Sequence, residues 1–239
     1  NMRLGLLFLS LFAFADNEIY IQQTGSNAEI KLEQLGSSNL IGGTSAVSGT
    51  MTALDLDGTA MTLTINQIGA SNIFRSDAFD SDNVTGYFNF DGDSNVFDIL
   101  MNSSGLHTAD YSDFNIDVTG SSNVFDIEVA EDDDANYLDL DWLFTGDSNE
   151  FNFDIDYENA ISYLDINGSS NEITFDGSGY AGTTSSDSGY FYLDLDGSSN
   201  TFNITQASTL ARDWLKIESN GSNSTICIVQ SDGGTSTSC

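Results

Sequence analysis

QQTGSNAEIKLEQLGSSN, residues 22 to 39, states Gln-x-Gly at Gln23 and restates it at Gln34, eleven positions later. Between the two lies EIKLEQL, where apolar and polar side chains alternate. A period of two marks a strand with one buried face. The flanking Gly, Ser and Asn residues are turn formers. The stretch therefore reads as strand, tight turn and strand, met twice in succession.

The rest of the chain repeats that unit. Gly followed by Asn recurs as GSSN at Gly36, GASN at Gly69, GDSN at Gly92, GSSN at Gly120, GDSN at Gly146, and GSSN at Gly168 and Gly197. The Asn residues are Asn39, Asn72, Asn95, Asn123, Asn149, Asn171 and Asn200. Shorter GSN copies sit at Gly25 and Gly221, and Gly58 heads a weaker copy with Met61 in the Asn place. Anchors spaced 11 to 29 residues apart point to a solenoid.

Counting from each Gly shows which side chains share a face. Positions two and four before it read Phe88/Phe90, Ile116/Val118, Trp142/Phe144, Leu164/Ile166 and Leu193/Leu195. Positions five and seven after it read Phe97/Ile99, Phe125/Ile127, Phe151/Phe153, Ile173/Phe175 and Phe202/Ile204. Both flanks turn apolar residues inward in one register, with Asp, Asn, Thr, Glu and Tyr between them. The expected fold is all-β: a β-solenoid of stacked strand–turn–strand repeats over residues 16–230. Gly and Asn are expected to supply the positive φ of each bend, a conformation closed to β-branched residues. The variable stretches 102–113 and 177–190 read as loops that carry the chain from unit to unit. Proline is absent, which suits strands joined by tight Gly, Ser, Asn and Asp turns.

Gln-x-Gly-x-x-Asn-x-apolar-x-x-x-Gln resembles the curlin repeat, the strand–turn–strand unit of the curli subunits that form functional amyloid on bacterial surfaces. Gln34, Gly36, Asn39 and Ile41 match it, as do Gln67, Gly69, Asn72 and Phe74, and Gln23, Gly25, Ile30 and Gln34 match with Asn27 shifted by one place. The match is best over residues 17 to 78. From Phe90 on, apolar residues replace the Gln before the turn, and only Gln206 and Gln230 hold the second Gln place. The resemblance implies inward amides stacked as hydrogen-bonded ladders at Gln23, Gln34, Gln67, Gln206 and Gln230. It also implies a structural subunit of an extracellular fibre, matrix or adhesive element, partnered end to end by copies of itself. Acidic chains of this group are carried by marine bacteria and their phages, so a virion appendage or decoration protein is the alternative. A Ca²⁺-dependent carbohydrate-binding or degrading solenoid, with cell-surface glycans as partner, is the third reading.

The chain carries 37 acidic residues against five basic ones, a formal charge of −32. Such a surface cannot neutralise phosphates, which excludes nucleic acid as a partner. By the Gly count, outward acids fall on neighbouring coils in pairs: Asp165 and Asp194, Asp98 and Asp126, Asp154 and Asp176. They read as a solvated face, with Ca²⁺ ligation as the sharper alternative. The loop acids of AEDDDAN, 130 to 136, are equal candidates as ligands. No stretch matches a calcium-binding nonapeptide repeat or an EF-hand loop. The single His107 has no nucleophile motif around it, so no catalytic site and no other cofactor is expected.

Residues 1–15 have one Arg, an apolar run from Leu4 to Phe14 and a small-x-small end at Ala13 and Ala15. They read as a secretory signal peptide, too short for a membrane span, which places the mature protein outside the cell. Cys227 and Cys239 are the only cysteines. In an exported chain an isolated pair favours a disulfide, here one that ties the tail 231–239 back over the last coil as a cap.

Overall fold

Alternation and turn signals fold as a β-solenoid of parallel strands. The computed structural model describes residues 18–42, 54–101, 111–129, 136–157, 159–179, 188–207 and 212–231. Residues 1–15, read as a signal peptide, His107, the loop acids up to residue 135 and the tail from residue 232 to Cys239 lie outside these residues.

In chain order the strands are β1 (Glu18–Ile19), β2 (Gln22–Thr24), β3 (Glu29–Leu35), β4 (Leu40–Ile41), β5 (Leu54–Thr59), β6 (Thr62–Ile68) and β7 (Ile73–Asp82). They continue as β8 (Thr85–Asp91), β9 (Val96–Met101), β10 (Asp113–Thr119), β11 (Val124–Val129), β12 (Asn136–Thr145) and β13 (Glu150–Tyr157). The last six are β14 (Asn159–Asn167), β15 (Glu172–Gly179), β16 (Ser188–Asp196), β17 (Thr201–Ala207), β18 (Arg212–Asn220) and β19 (Thr225–Ser231). The strand before each Gly-x-x-Asn turn joins an eight-stranded sheet, ordered β3-β6-β8-β10-β12-β14-β16-β18. The strand after it joins an eleven-stranded sheet whose path is β1-β4-β7-β9-β11-β13-β15-β17-β19. In that sheet β2 and β5 share rungs with β1 and β4, because β7 pairs with β4 along its first half and with β5 along its second.

The core is the slot between the two sheets. Phe88, Phe90, Trp142, Phe144, Phe97, Phe125, Phe151 and Phe153 are all buried, in the register read from the Gly count. Equivalent positions stack along the axis: Phe97 on Phe125 at 4.6 Å between ring centroids and Phe125 on Phe151 at 4.9 Å, with rings near parallel. A parallel in-register stack repeats its ring contacts at each rung, and dispersion adds over all of them.

The glycines form two columns where one was expected. A Cβ on Gly69 would meet Gly36, and the same relation runs through Gly92, Gly120, Gly146, Gly168, Gly197 and Gly221 along one edge. Gly58 sits against Gly25 on the other edge. The eleven-residue interval is therefore one strand flanked by turns at both of its ends. At that second edge the chain passes from the larger sheet to the smaller, and there the connections 102–112, 130–135, 180–187 and 208–211 are longer in sequence, while residue 158 alone separates β13 from β14.

The turn glycines from Gly25 to Gly197 take the expected positive φ, but the full-copy Asn residues do not. The left-handed non-Gly residue is the one before the Asn: Ser38, Ser71, Ser94, Ser122, Ser148, Ser170 and Ser199 all have φ near 60°. In the GSN copies Asn27 and Asn223 take that place. The Asn residues of the full copies are instead buried and make a ladder. The backbone N–H of Asn39 donates to Asn72 Oδ1 (2.9 Å), and that of Asn72 to Asn95 Oδ1 (2.8 Å). The chain of bonds continues through Asn123, Asn149, Asn171 and Asn200 at 2.7 to 2.8 Å and ends on Ser224 Oγ at 3.2 Å. Such a ladder fills the need of a backbone donor that turns inward at the corner, away from water.

Candidate functional site

The end rungs carry one pattern at both ends of the rod. In the larger sheet, inward positions at the first rung are Ile19, Ile21 and Gln23, and at the last Ile226, Ile228 and Gln230. Ile19 pairs with Ile41 and Gln23 with Leu56, while Phe202, Ile204 and Gln206 pair with Ile226, Ile228 and Gln230. In the smaller sheet the first rung offers Ile30, Leu32 and Gln34, and the last Leu215, Ile217 and Ser219. Interior counterparts such as Phe202 and Ile204 are 1% exposed, whereas Ile226 and Ile228 are 40% and 47% exposed. Ile19, Ile21, Ile30, Leu32, Leu215 and Ile217 are only partly buried. Each end thus presents two apolar positions and one polar position per sheet.

The expected amide ladders exist, but they are two rungs long. Gln67 Nε2 donates to Gln34 Oε1 (2.9 Å), and Gln230 Nε2 to Gln206 Oε1 (3.0 Å). The column then turns apolar: Phe90 follows Gln67, and Gly177 precedes Gln206. Gln67 Oε1 and Gln206 Nε2 are buried there without a hydrogen-bond partner, which costs about 1–3 kcal/mol each. Gln23 joins no ladder. Its Nε2 donates to the Thr24 carbonyl (3.3 Å), and Leu56 is its neighbour in the column.

The acid columns are real neighbours. Asp98 pairs with Asp126, Asp154 with Asp176 and Asp165 with Asp194 in strict register. Arg75 precedes Asp98 in its column and bridges to it at 3.4 Å. No group of three or more His, Cys, Asp or Glu side chains among the described residues is placed to hold a metal ion. What the columns do is electrostatic. Burial, and then Asp98 and Glu150, push the Asp126 carboxyl above the ordinary range. Burial, and then Asp194, Asp196 and Asp141, do the same to Asp165. Asp139 is raised by burial and by Asp113 and Asp141, and Asp176 by burial alone. A carboxyl whose pKa is raised in the fold binds its proton more tightly folded than unfolded. Stability is therefore regained as pH falls from neutral through those raised values. Glu218 has the opposite sign: hydrogen bonds from Tyr192 and Lys216 hold it low, and its contribution fades only below the ordinary Glu range. The melting temperature should rise as pH is lowered from 7 towards the ordinary carboxylate range, and likewise when NaCl is added at pH 7. Thermal scans across both series check this, and a fall in either contradicts it.

Cys227 lies on β19, opposite Asn203 in the sheet, and is disulfide-bonded. The chain's only other cysteine is Cys239.

One surface was not singled out from the sequence: the outer face of the smaller sheet. Outward positions on β14, β16 and β18 form a grid of three columns. Ile161, Tyr190 and Trp214 stand in register, then Tyr163, Tyr192 and Lys216, then Asp165, Asp194 and Glu218. Tyr163 lies 6.2 Å from Tyr190 and 6.0 Å from Tyr192, centroid to centroid. Lys216 Nζ sits 4.5 Å over the Tyr192 ring and 3.0 Å from Glu218. Tyr192 donates its hydroxyl to Glu218, which pushes its own pKa up to about 12. The signal for this grid was present in the Gly count, at positions seven, five and three before the turn.

No helix among the described residues is long and apolar enough to cross a membrane. Comparison with known proteins finds no match for the chain: no protein-family model, no curated protein and no solved structure.

Proposed function

We propose that the protein is a secreted structural subunit whose copies stack end to end into an extracellular fibre or matrix. The observation that carries this reading is the Ile-x-Ile-x-Gln triplet on both end rungs of the larger sheet. Stacked head to tail, β19 would set Ile226 on Ile19, Ile228 on Ile21 and Gln230 on Gln23. The Gln206–Gln230 bond already present in the chain is a template for that last contact. All strands run parallel, so a second copy continues the larger sheet without a change of direction, a heterologous contact that propagates. The path through the larger sheet has nine rungs and the smaller sheet eight. The stack therefore leaves a slot one strand wide between β18 and the next copy's β3. The Cys227 disulfide supports an oxidising, extracellular setting. The paired Gln34 and Gln67 amides support the curlin-like reading of the N-terminal repeats.

The test is the double substitution Ile226→Lys and Ile228→Lys. Both side chains are half exposed at the last rung, so the fold should survive. Two ammonium groups would have to be buried in the stacked interface, which prevents it. Light scattering of the concentrated wild-type protein should show assemblies growing with concentration, and the double variant should stay monomeric. A wild-type protein that stays monomeric, or a variant that assembles equally well, overturns the reading.

A further inference from the structure

The two outer faces of the solenoid differ in kind. Across β7 to β19 of the larger sheet, the described outward side chains include no aromatic residue; on the smaller sheet Tyr87, Tyr163, Tyr190, Tyr192 and Trp214 all face out. Ile161, Tyr163 and Trp214 are 46%, 44% and 62% exposed, an outlay of apolar surface that folding alone does not require. The grid on β14, β16 and β18 leads directly into a groove on the same face. Asp141 and Leu143 on β12 pair with Tyr163 and Asp165 of the grid. With Tyr87, Asn89, Asn115 and Asp117 they line a groove of about 590 Å³.

We propose that this face is a binding site for an uncharged polysaccharide, laid along the rod axis across the strands. A pyranose ring has apolar C–H faces and a rim of hydroxyls, and the grid answers both. Ile161, Tyr190 and Trp214, with Tyr163 tilted 57° to Tyr190, give exposed apolar surface one strand spacing apart, a step comparable to one sugar unit. The adjoining Asp165 and Asp194 offer acceptors to the hydroxyls, and the groove adds Asn89, Asn115, Asp117 and Asp141. A formal charge of −32 repels anionic chains. Over Tyr192 and beside Glu218 the place of a cation is already filled by Lys216. The site lies on a side face, so it stays open whether or not copies stack through their ends. Its failure and the failure of end-to-end assembly are independent results.

Affinity gel electrophoresis of the full chain tests it, in gels cast with hydroxyethylcellulose, galactomannan or dextran, with heparin and polylysine as charged controls. Retardation is expected in at least one uncharged gel and not with heparin. Tyr163→Ala and Trp214→Ala should each weaken it about tenfold, the usual loss when an aromatic contact at the centre of a site is truncated. Glu150→Ala on the opposite face should leave it unchanged. Both aromatic side chains are exposed, so strand content by circular dichroism should match the wild type. No retardation in any uncharged gel, equal retardation of the Tyr163 and Trp214 variants, or retention by polylysine alone would overturn the assignment.

Discussion

Gly197→Ala should cost at least about 4 kcal/mol of stability, while Gly36→Ala, the same methyl in the same kind of turn, should cost no more than about 2. The contrast follows from what lies beneath each residue. A Cβ on Gly197 would sit 1.8 Å from the Gly168 carbonyl oxygen and 2.5 Å from its carbon. Both are backbone atoms locked in the stack, since Gly168 N–H donates to Asp196 and Gly197 N–H to Asn220. Neither can retreat without breaking the rung spacing on both sides. Gly36 begins its column, and the nearest atom to its Cβ would be Asn39 Nδ2 at 3.5 Å. There only the conformational cost of a positive φ, 118°, is left. Guanidinium denaturation of the two variants, followed by circular dichroism, measures the difference. Equal midpoints would mean that the glycines do not approach one another in solution.

Asn149→Leu should cost about 3–5 kcal/mol although it exchanges a polar core side chain for an apolar one of similar size. Asn149 is 4% exposed and serves two neighbours in the preceding rung. Its Oδ1 accepts the Asn123 backbone N–H at 2.8 Å, and its Nδ2 donates to the Gly120 carbonyl at 3.2 Å. Leucine leaves the buried Asn123 N–H without its acceptor and takes the donor from the part-buried Gly120 carbonyl. Asn149→Asp separates the two roles, because aspartate keeps the acceptor but loses the donor and buries a charge. It should be destabilised at pH 7 and recover in part as the pH falls, since protonation restores a donor and removes the charge. Thermal melts of both variants at pH 7 and pH 5 check this. A leucine variant as stable as wild type would show that the ladder contributes only shape.

The inward register was legible because a strand's side-chain period is two and the count restarts at every Gly, so loop length does not disturb it. From Phe88 to Ile204, the inward side chains fell where that count put them. The pairing of Asp165 with Asp194 followed from the same count. The two-edged arrangement was hidden because Gly25 and Gly58 head turns that look like those of Gly36 and Gly69, and sequence spacing alone does not say on which side of a strand a turn lies. The role of Asn was misplaced for a related reason. Asn tolerates left-handed backbone, but so does a Ser that is held between two stacked copies of itself, and that leaves the next residue free to turn its amide inward. The end rungs were readable only in part. Ile19, Ile21 and Gln23 could be seen as a strand, but their match to Ile226, Ile228 and Gln230 requires knowing that β4 and β5 share one rung although residues 43–53 separate them in sequence. The Tyr and Trp grid was hidden because an exposed aromatic at an outward position leaves the inward period of two unchanged.

Cryo-electron microscopy of the concentrated protein tests the central claim, that the two ends of this solenoid fit one another. Nine rungs at a strand spacing of about 4.8 Å predict filaments with an axial repeat of roughly 43 Å, and with one strand missing from the smaller sheet per repeat. Filaments of that repeat, lost on Ile226→Lys with Ile228→Lys, are the expected result. Isolated rods at every concentration, or filaments whose repeat corresponds to eight rungs, roughly 38 Å, would contradict it.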